Sequence, residues 1–181
     1  IGDHHTFNKL VMSAYIDLFD FRGLDLVAAM RRLLAAFQLP GEAQKIDRII
    51  EKFAERYCAC NPSVFASADT AYVLGYSLIM LSTDAHNPQV KKKMSKQEFL
   101  KNNRGINDGA SLDDSYMSSL YDAIVGEAFK MEGHGSSAST VNREISFKSE
   151  AADILKSAAS QLKAAKRRGS SSTYRSAPIA S

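Results

Sequence analysis

Residues Thr70 to Thr83, TAYVLGYSLIMLST, form a run that is apolar nearly all round at helical spacing. A surface helix needs only one apolar stripe, so a helix that is apolar on every side must be covered on every side. The stretch therefore predicts a central helix inside a bundle. Its ends are marked: Ser67, Ala68 and Asp69 have the character of a helix start, and Asp84-Ala85-His86-Asn87-Pro88 reads as a C-terminal break.

The segments around it supply the cover. Phe7, Leu10, Val11, Ala14, Tyr15, Leu18 and Phe19 repeat at the spacing of an amphipathic helix over 6–19. Leu24, Val27, Ala28, Met30, Leu33, Leu34 and Phe37 do the same over 24–38, with Asp20 to Gly23 as the intervening turn. Ile46, Ile49, Ile50, Phe53, Ala54 and Tyr57 make a further stripe, which Asn61-Pro62 ends. Ser95 and Glu98 have the capping-box spacing before Phe99 and Leu100. Gln89 to Lys93 reads as a basic loop. Asn102 to Gly105 and Asn107 to Gly109 make a turn-rich connection, and Leu112 to Phe129 is helical again. No convincing alternating strand precedes residue 140, so the fold class predicted is all-α with short connections.

Between the second and third helical stripes stands Phe37-Gln-Leu-Pro-Gly-Glu-Ala-Gln-Lys-Ile-Asp-Arg48. Pro40 and Gly41 break the helical run, and Glu42 occupies the first turn of the next one. A carboxylate is thus displayed from an inter-helix turn. One reading is that it only complements the positive end of the following helix, worth roughly 0.3–1 kcal/mol. The other is that it serves a partner.

At 181 residues and 45% hydrophobic content the chain amounts to about one domain. It contains no apolar run of the ~18 residues needed to span a bilayer and opens with no secretory pattern, which reads as soluble and intracellular. It begins at Ile1, as a fragment would. The two cysteines, Cys58 and Cys60, are spaced C-x-C, neither a zinc half-site nor a redox C-x-x-C, and read as packed thiols. Residues 1–132 hold 15 Lys/Arg against 17 Asp/Glu, net −2, whereas 133–181 hold 8 against 3, net +5. Basicity belongs to the tail, and the body has no nucleic-acid-binding character.

After Glu132 the composition shifts. Gly133 to Thr140 and Gly169 to Thr173 are Gly/Ser/Thr-rich and read as flexible. Glu150 to Arg168 forms a helical pattern with Ile154, Leu155, Ala158, Ala159 and Leu162 on one side and Lys163, Lys166, Arg167 and Arg168 toward its end. It suits docking on a neighbouring domain or lying on a membrane surface. The domain division expected is 1–131, a linker 132–149, a basic helix 150–168 and a disordered tail 169–181.

Several chemistries are excluded. Asp3-His4-His5 has no matching His/Asp clusters downstream, so no metal site is expected. Arg104 to Ser115 resembles a calcium loop only in Gly109, because positions 1 and 12 would be Arg104 and Ser115 instead of acids. No phosphate-binding glycine loop and no serine-nucleophile motif is present.

Phe37 to Arg48, Ser67 to Pro88 and Asn102 to Asn107 together resemble the Sec-seven domain of guanine-nucleotide exchange factors for Arf GTPases. The resemblance covers about residues 1–131 and rests on two long motifs in the family's order and spacing. It implies an all-α right-handed superhelix or bundle of amphipathic helices lacking the family's first helices, part of a larger, brefeldin-sensitive Golgi-type factor that is cytoplasmic and peripheral to Golgi membranes. It implies exchange of GDP for GTP on an Arf-family small GTPase without covalent chemistry. No cofactor belongs to the chain itself, since Mg²⁺ and GDP/GTP are the GTPase's.

Under this resemblance Glu42 matches the family's glutamic finger. Tyr72, Tyr76, Ile79, Met80 and Thr83 share one side of their helix, Leu74, Leu78 and Leu81 another better suited to core. Periodicity alone leaves all of them as core; the resemblance assigns Tyr72, Tyr76, Ile79 and Met80 to a hydrophobic groove that binds the GTPase switch segments. It also implies partner contacts from Asn87, Asp47 and Asp69, and a brefeldin A pattern at Tyr76, Ser77, Asp84 and Met94. Lys91, Lys92 and Lys93 would face the GTPase or an anionic membrane, or form a solvated loop. Ser82 and Ala85 depart from the family's usual Asn and Leu. Two rival classes are a helical scaffold without exchange activity, for which no fixed-period repeat is found, and a metal-dependent hydrolase, which lacks ligands.

Overall fold

The computed structural model describes residues 4–36 and 43–130. Among them are six helices: α1 (His4–Asp17), α2 (Leu26–Ala36), α3 (Ala43–Cys60), α4 (Ala68–His86), α5 (Lys96–Asn102) and α6 (Asp114–Gly126). The expected linker, basic helix and tail lie outside the described residues. So do Pro40, Gly41 and Glu42.

α4 is the centre, packed against α3, α6 and α2. Leu74, Leu78 and Leu81 are completely buried, as are Tyr76 and Ile79. The α3–α4 contact is the most extensive, and Gly75 explains how close it is: a Cβ there would lie 3.3 Å from Cγ2 of Ile50. Gly75→Val adds a branched side chain at that point and is expected to destabilise the fold by about 1–3 kcal/mol in urea denaturation. An unchanged midpoint would show that α3 yields to the added volume.

An aromatic series ties the first half of the chain to the second. Phe21 meets Phe53 edge-on at 5.3 Å, Phe53 meets Tyr57 at 6.0 Å, Tyr57 meets Phe65 at 5.9 Å, and Phe65 meets Tyr116 at 6.3 Å. The buried Tyr57 hydroxyl donates to the Leu24 carbonyl at 3.0 Å, so its polar tip is satisfied. Burial pushes the Tyr116 phenol up to about 12.

Asn61 does more than end α3. Its amide donates to the carbonyls of Phe21 (2.9 Å) and Tyr57 (3.2 Å) and accepts from the Gly23 amide (3.0 Å), clamping the α1–α2 turn to the end of α3. Gly23 sits at φ +70, a left-handed conformation that glycine adopts without steric cost.

The apolar face expected to bury α1 is largely the wrong one. Leu10 is 65% and Leu18 80% exposed, and Val11 and Tyr15 also face solvent. Ile16 is buried, with Met12 and Phe19 packed partly against the core. A helix bearing apolar residues around most of its girth offers more than one candidate face, and contact with α3 selects the one carrying Ile16.

α5 carries the capping box that the Ser95–Glu98 spacing predicts, with the Ser95 amide donating to the Glu98 carboxylate at 2.9 Å. That amide, with the Ser95 hydroxyl and Lys92, holds the Glu98 carboxyl below its ordinary value. Because the folded value is the lower one, the cap's contribution is present above the unfolded value and is lost as pH falls through the folded one. Amide protection in α5 is therefore expected to fade in acid before that of α4, and equal fading would refute the assignment.

α6 is capped by Asp113, which accepts from the amides of Ser115 and Tyr116 at 2.9 Å each. It ends at Gly126, short of the Phe129 expected from periodicity. The Arg31 guanidinium terminates it by donating to the carbonyls of Ala123 (3.0 Å), Glu127 (2.5 Å) and Ala128 (2.9 Å). Phe129 then folds into the core under that guanidinium, its amide donating to the Ser82 hydroxyl at 3.0 Å. Ser82, one of the two departures from the family's usual residues, thus makes a buried polar contact.

Candidate functional site

The residues singled out from sequence fall along α4 and the segments that bracket it. Asp69 is exposed in the first turn of α4, and Asn87 caps its last. Eighteen residues at the helical rise separate them by roughly 27 Å. They mark the two ends of a strip, not one spot.

Near the first end, three of the expected residues meet. The Tyr72 and Tyr76 hydroxyls both donate to the same carboxylate oxygen of Asp47 on α3, at 2.5 Å and 3.2 Å. The two rings, one helical turn apart, touch edge to face at 5.3 Å. Burial, reinforced by the neighbouring Asp47 charge, drives both phenols far above their ordinary values, so both remain protonated donors. Hydrogen bonds to a charged acceptor are each worth about 1.5–3 kcal/mol. Asp47 is therefore engaged within the chain in this state.

Further along the same face, Met80 is partly buried beside the completely buried Ile79. Thr83 turns its hydroxyl back onto the Ile79 carbonyl at 3.0 Å, which leaves its methyl as the outward group. Of the four residues assigned to the groove, Tyr72 and Met80 reach the surface, while Tyr76 and Ile79 form the layer beneath.

At the other end the chain turns back. The Asp84 carboxylate accepts from the Met94 amide at 2.7 Å, bringing two of the four brefeldin-pattern residues together. Lys93 donates to the carbonyls of Asp84 (2.8 Å) and Asn87 (2.5 Å), occupying acceptors that a helix end leaves open. The Asn87 side chain accepts from the Gln89 amide at 2.9 Å, and the Tyr121 hydroxyl donates to the Met94 carbonyl at 2.8 Å. Lys92 lies 3.5 Å from Glu98. The basic loop is thus built into the helix terminus, with Lys92 and Lys93 directed at acceptors of this chain. Ser77 is half-buried on α4.

Sequence reasoning missed the Asp47–Tyr72–Tyr76 cluster as an internal contact. The i, i+4 spacing of the tyrosines was visible, but nothing local said which helix would bring the acid. It also missed Arg31, Asn61 and His86, whose Nε2 lies 2.8 Å from the Ile124 carbonyl. Among the described residues no group of three or more His, Cys, Asp or Glu is placed to hold a metal ion. No helix among them is long and apolar enough to cross a membrane.

The described residues thus form an all-helical arrangement around one buried central helix, with a strip of partly exposed apolar and polar residues along it. The family model of the Sec7 domain matches residues 1–129, and the chain belongs to that family. It is 60% identical over 132 residues to brefeldin A-inhibited guanine nucleotide-exchange protein 2 of Arabidopsis thaliana, covering 73% of this chain and 7% of that protein. Against the Homo sapiens brefeldin A-inhibited guanine nucleotide-exchange protein 1 the figures are 57% over 134 residues, 73% and 7%. The chain thus spans under a tenth of the length of these curated relatives. Among solved structures, the Sec7p catalytic domain superposes with a TM-score of 0.66 at 51% identity, over 70% of this chain and 67% of that one. A Sec7 domain solved with ARF1-GDP and brefeldin A superposes with a TM-score of 0.65 at 43% identity, over 71% and 66%.

Proposed function

We propose that this chain is an exchange module that accelerates GDP release from an Arf-family GTPase. The observation that carries the reading is the similarity, at 43% identity over 71% of the chain, to a Sec7 domain solved with ARF1-GDP. GTPases hold nucleotide through contacts of a glycine-rich loop, its Lys and a Mg²⁺ ion with the phosphates. Glu42, which immediately precedes α3 in sequence, enters beside the β-phosphate, repels it and takes over the Lys. The strip along α4, with Tyr72 and Met80 outermost, holds the switch segments in their displaced position, because a shifted conformation persists only if the binder prefers it.

Asn87 and the loop tied to Asp84 form the far lip of that surface, and Asp69 faces basic residues of the GTPase. Tyr76, Ser77, Asp84 and Met94 border the place where brefeldin A lodges between module and GTPase. No bond is made or broken, and nucleotide and Mg²⁺ stay the GTPase's. The module acts in the cytoplasm at Golgi membranes, regulating vesicle traffic.

The test is release of fluorescent GDP from an Arf-family GTPase, with and without the chain. Acceleration that brefeldin A slows is the expected result. Binding without acceleration would favour the helical scaffold instead.

A further inference from the structure

α4 ends at His86, and the carbonyls of its last turn find no partner inside the helix. The Asn87 amide takes that of Thr83 at 3.0 Å. Lys93 takes that of Asp84 at 2.8 Å, and the same ammonium group reaches the Asn87 carbonyl at 2.5 Å. Met94, the next residue, gives its amide to the Asp84 carboxylate at 2.7 Å. Two consecutive residues thus grip Asp84 by its carbonyl and by its carboxylate, and the segment between closes on itself. From α6 the Tyr121 hydroxyl donates to the Met94 carbonyl at 2.8 Å. None of residues 87–95 is buried, so these polar ties do more than packing to give the segment its shape. Lys93 is exposed, yet two of its three donors are occupied by carbonyls at the negative end of α4.

We propose that Lys93 is a positioning residue for GTPase docking: by holding the Asp84 and Asn87 carbonyls it keeps the far lip of the strip in one conformation before the GTPase arrives. The idea rests on the exchange reading above and gives Lys93 a role different from touching the GTPase or an anionic membrane. A lip already ordered costs the complex little entropy, whereas a loose one must be ordered at the expense of affinity. Lys93→Met keeps an unbranched apolar stem and removes the donors.

The experiment measures fluorescent GDP release from an Arf-family GTPase in solution, without lipid, over a range of GTPase concentrations and at low and high salt. With the full chain carrying Lys93→Met, the half-saturating GTPase concentration is expected to rise about fivefold while the saturating rate stays within about twofold of wild type. Lys93→Arg, which can still donate to two carbonyls, stays within about twofold in both. The ratio of variant to wild type is expected to hold at high salt, because hydrogen bonds to uncharged carbonyls depend little on ionic strength, whereas an ion pair with an acid of the GTPase weakens. A penalty that disappears with salt therefore overturns the proposal. An unchanged half-saturating concentration overturns it too, since a lysine serving only a membrane would give that result.

A second readout needs no GTPase. The Val90 amide, which donates to the Asn87 carbonyl at 3.1 Å, and the Met94 amide are expected to exchange with solvent about tenfold faster in Lys93→Met, while those of α6 are unaltered. Unchanged protection of both means that the lip keeps its shape without the ammonium group and sinks the proposal. The exchange reading fails on a separate result, no acceleration of GDP release by the wild-type chain, and takes the docking role of Lys93 with it. Acceleration by wild type that Lys93→Met leaves intact at every GTPase concentration defeats the positioning role alone.

Discussion

Glu42→Lys is expected to abolish the acceleration of GDP release while leaving binding to the GDP-bound or nucleotide-free GTPase largely intact. The sign of the charge is what matters. At 4 Å and an effective dielectric near 20, a unit-charge pair is worth ~4 kcal/mol, nearly three decades in an equilibrium constant. A carboxylate beside the β-phosphate spends that energy against the nucleotide; an ammonium group in the same place spends it in the nucleotide's favour. Glutamine occupies the space without repelling, and aspartate falls about one methylene short, so both are expected to lie between wild type and lysine. Stopped-flow release of fluorescent GDP measures the rate, and titration calorimetry the binding. Equal loss of both would make Glu42 a docking residue and remove the electrostatic account.

Phe53→Ala should have the largest effect on folding. Phe53 is completely buried, touches Phe21 edge-on at 5.3 Å and Tyr57 at 6.0 Å, and so links the α1–α2 turn to the length of α3. Truncation removes the transfer energy of the ring and leaves a cavity bounded by other rings, which collapse poorly. A loss of about 3–5 kcal/mol is expected, a large part of the 5–15 kcal/mol that typically holds a domain. Urea denaturation followed by circular dichroism reads it directly. A loss under about 1 kcal/mol would mean that the aromatic series rearranges around the gap.

These predictions draw on different sources of information. The Glu42 argument rests on sequence alone: the order Pro40-Gly41-Glu42 reads as a helix break followed by an acid, and the surrounding motif resembles a family that uses an acid there. The Phe53 argument needed both, because periodicity placed it on an apolar stripe and only packing revealed Phe21 and Tyr57 as its neighbours.

Helix positions were readable because their causes are local. The Ser95–Glu98 box, the stop at Asn61-Pro62 and the all-round apolarity of residues 70–83 act within a few residues of themselves. The end of α6 was misjudged for the opposite reason. Phe129 continues the apolar period, yet Arg31, nearly a hundred residues earlier, takes the carbonyls of Ala123, Glu127 and Ala128 and turns the chain inward. α1 shows the same limit: the stripe read from its sequence omits Ile16, yet against the neighbouring α3 it is Ile16 that is buried.

By itself, then, the order of residues determined that the described part of this chain is helical, where most of its helices begin and stop, and which helix is innermost. Tertiary structure alone decided that Asp47 receives both tyrosine hydroxyls, that Asp84 holds the Met94 amide, and that Tyr76 and Ile79 lie beneath the surface that Tyr72 and Met80 reach. The division follows from range. Capping, helix breaking and periodicity are set by neighbours a turn apart, whereas a hydrogen bond between helices depends on the rotation of each about its axis, which only the packing of the whole core selects.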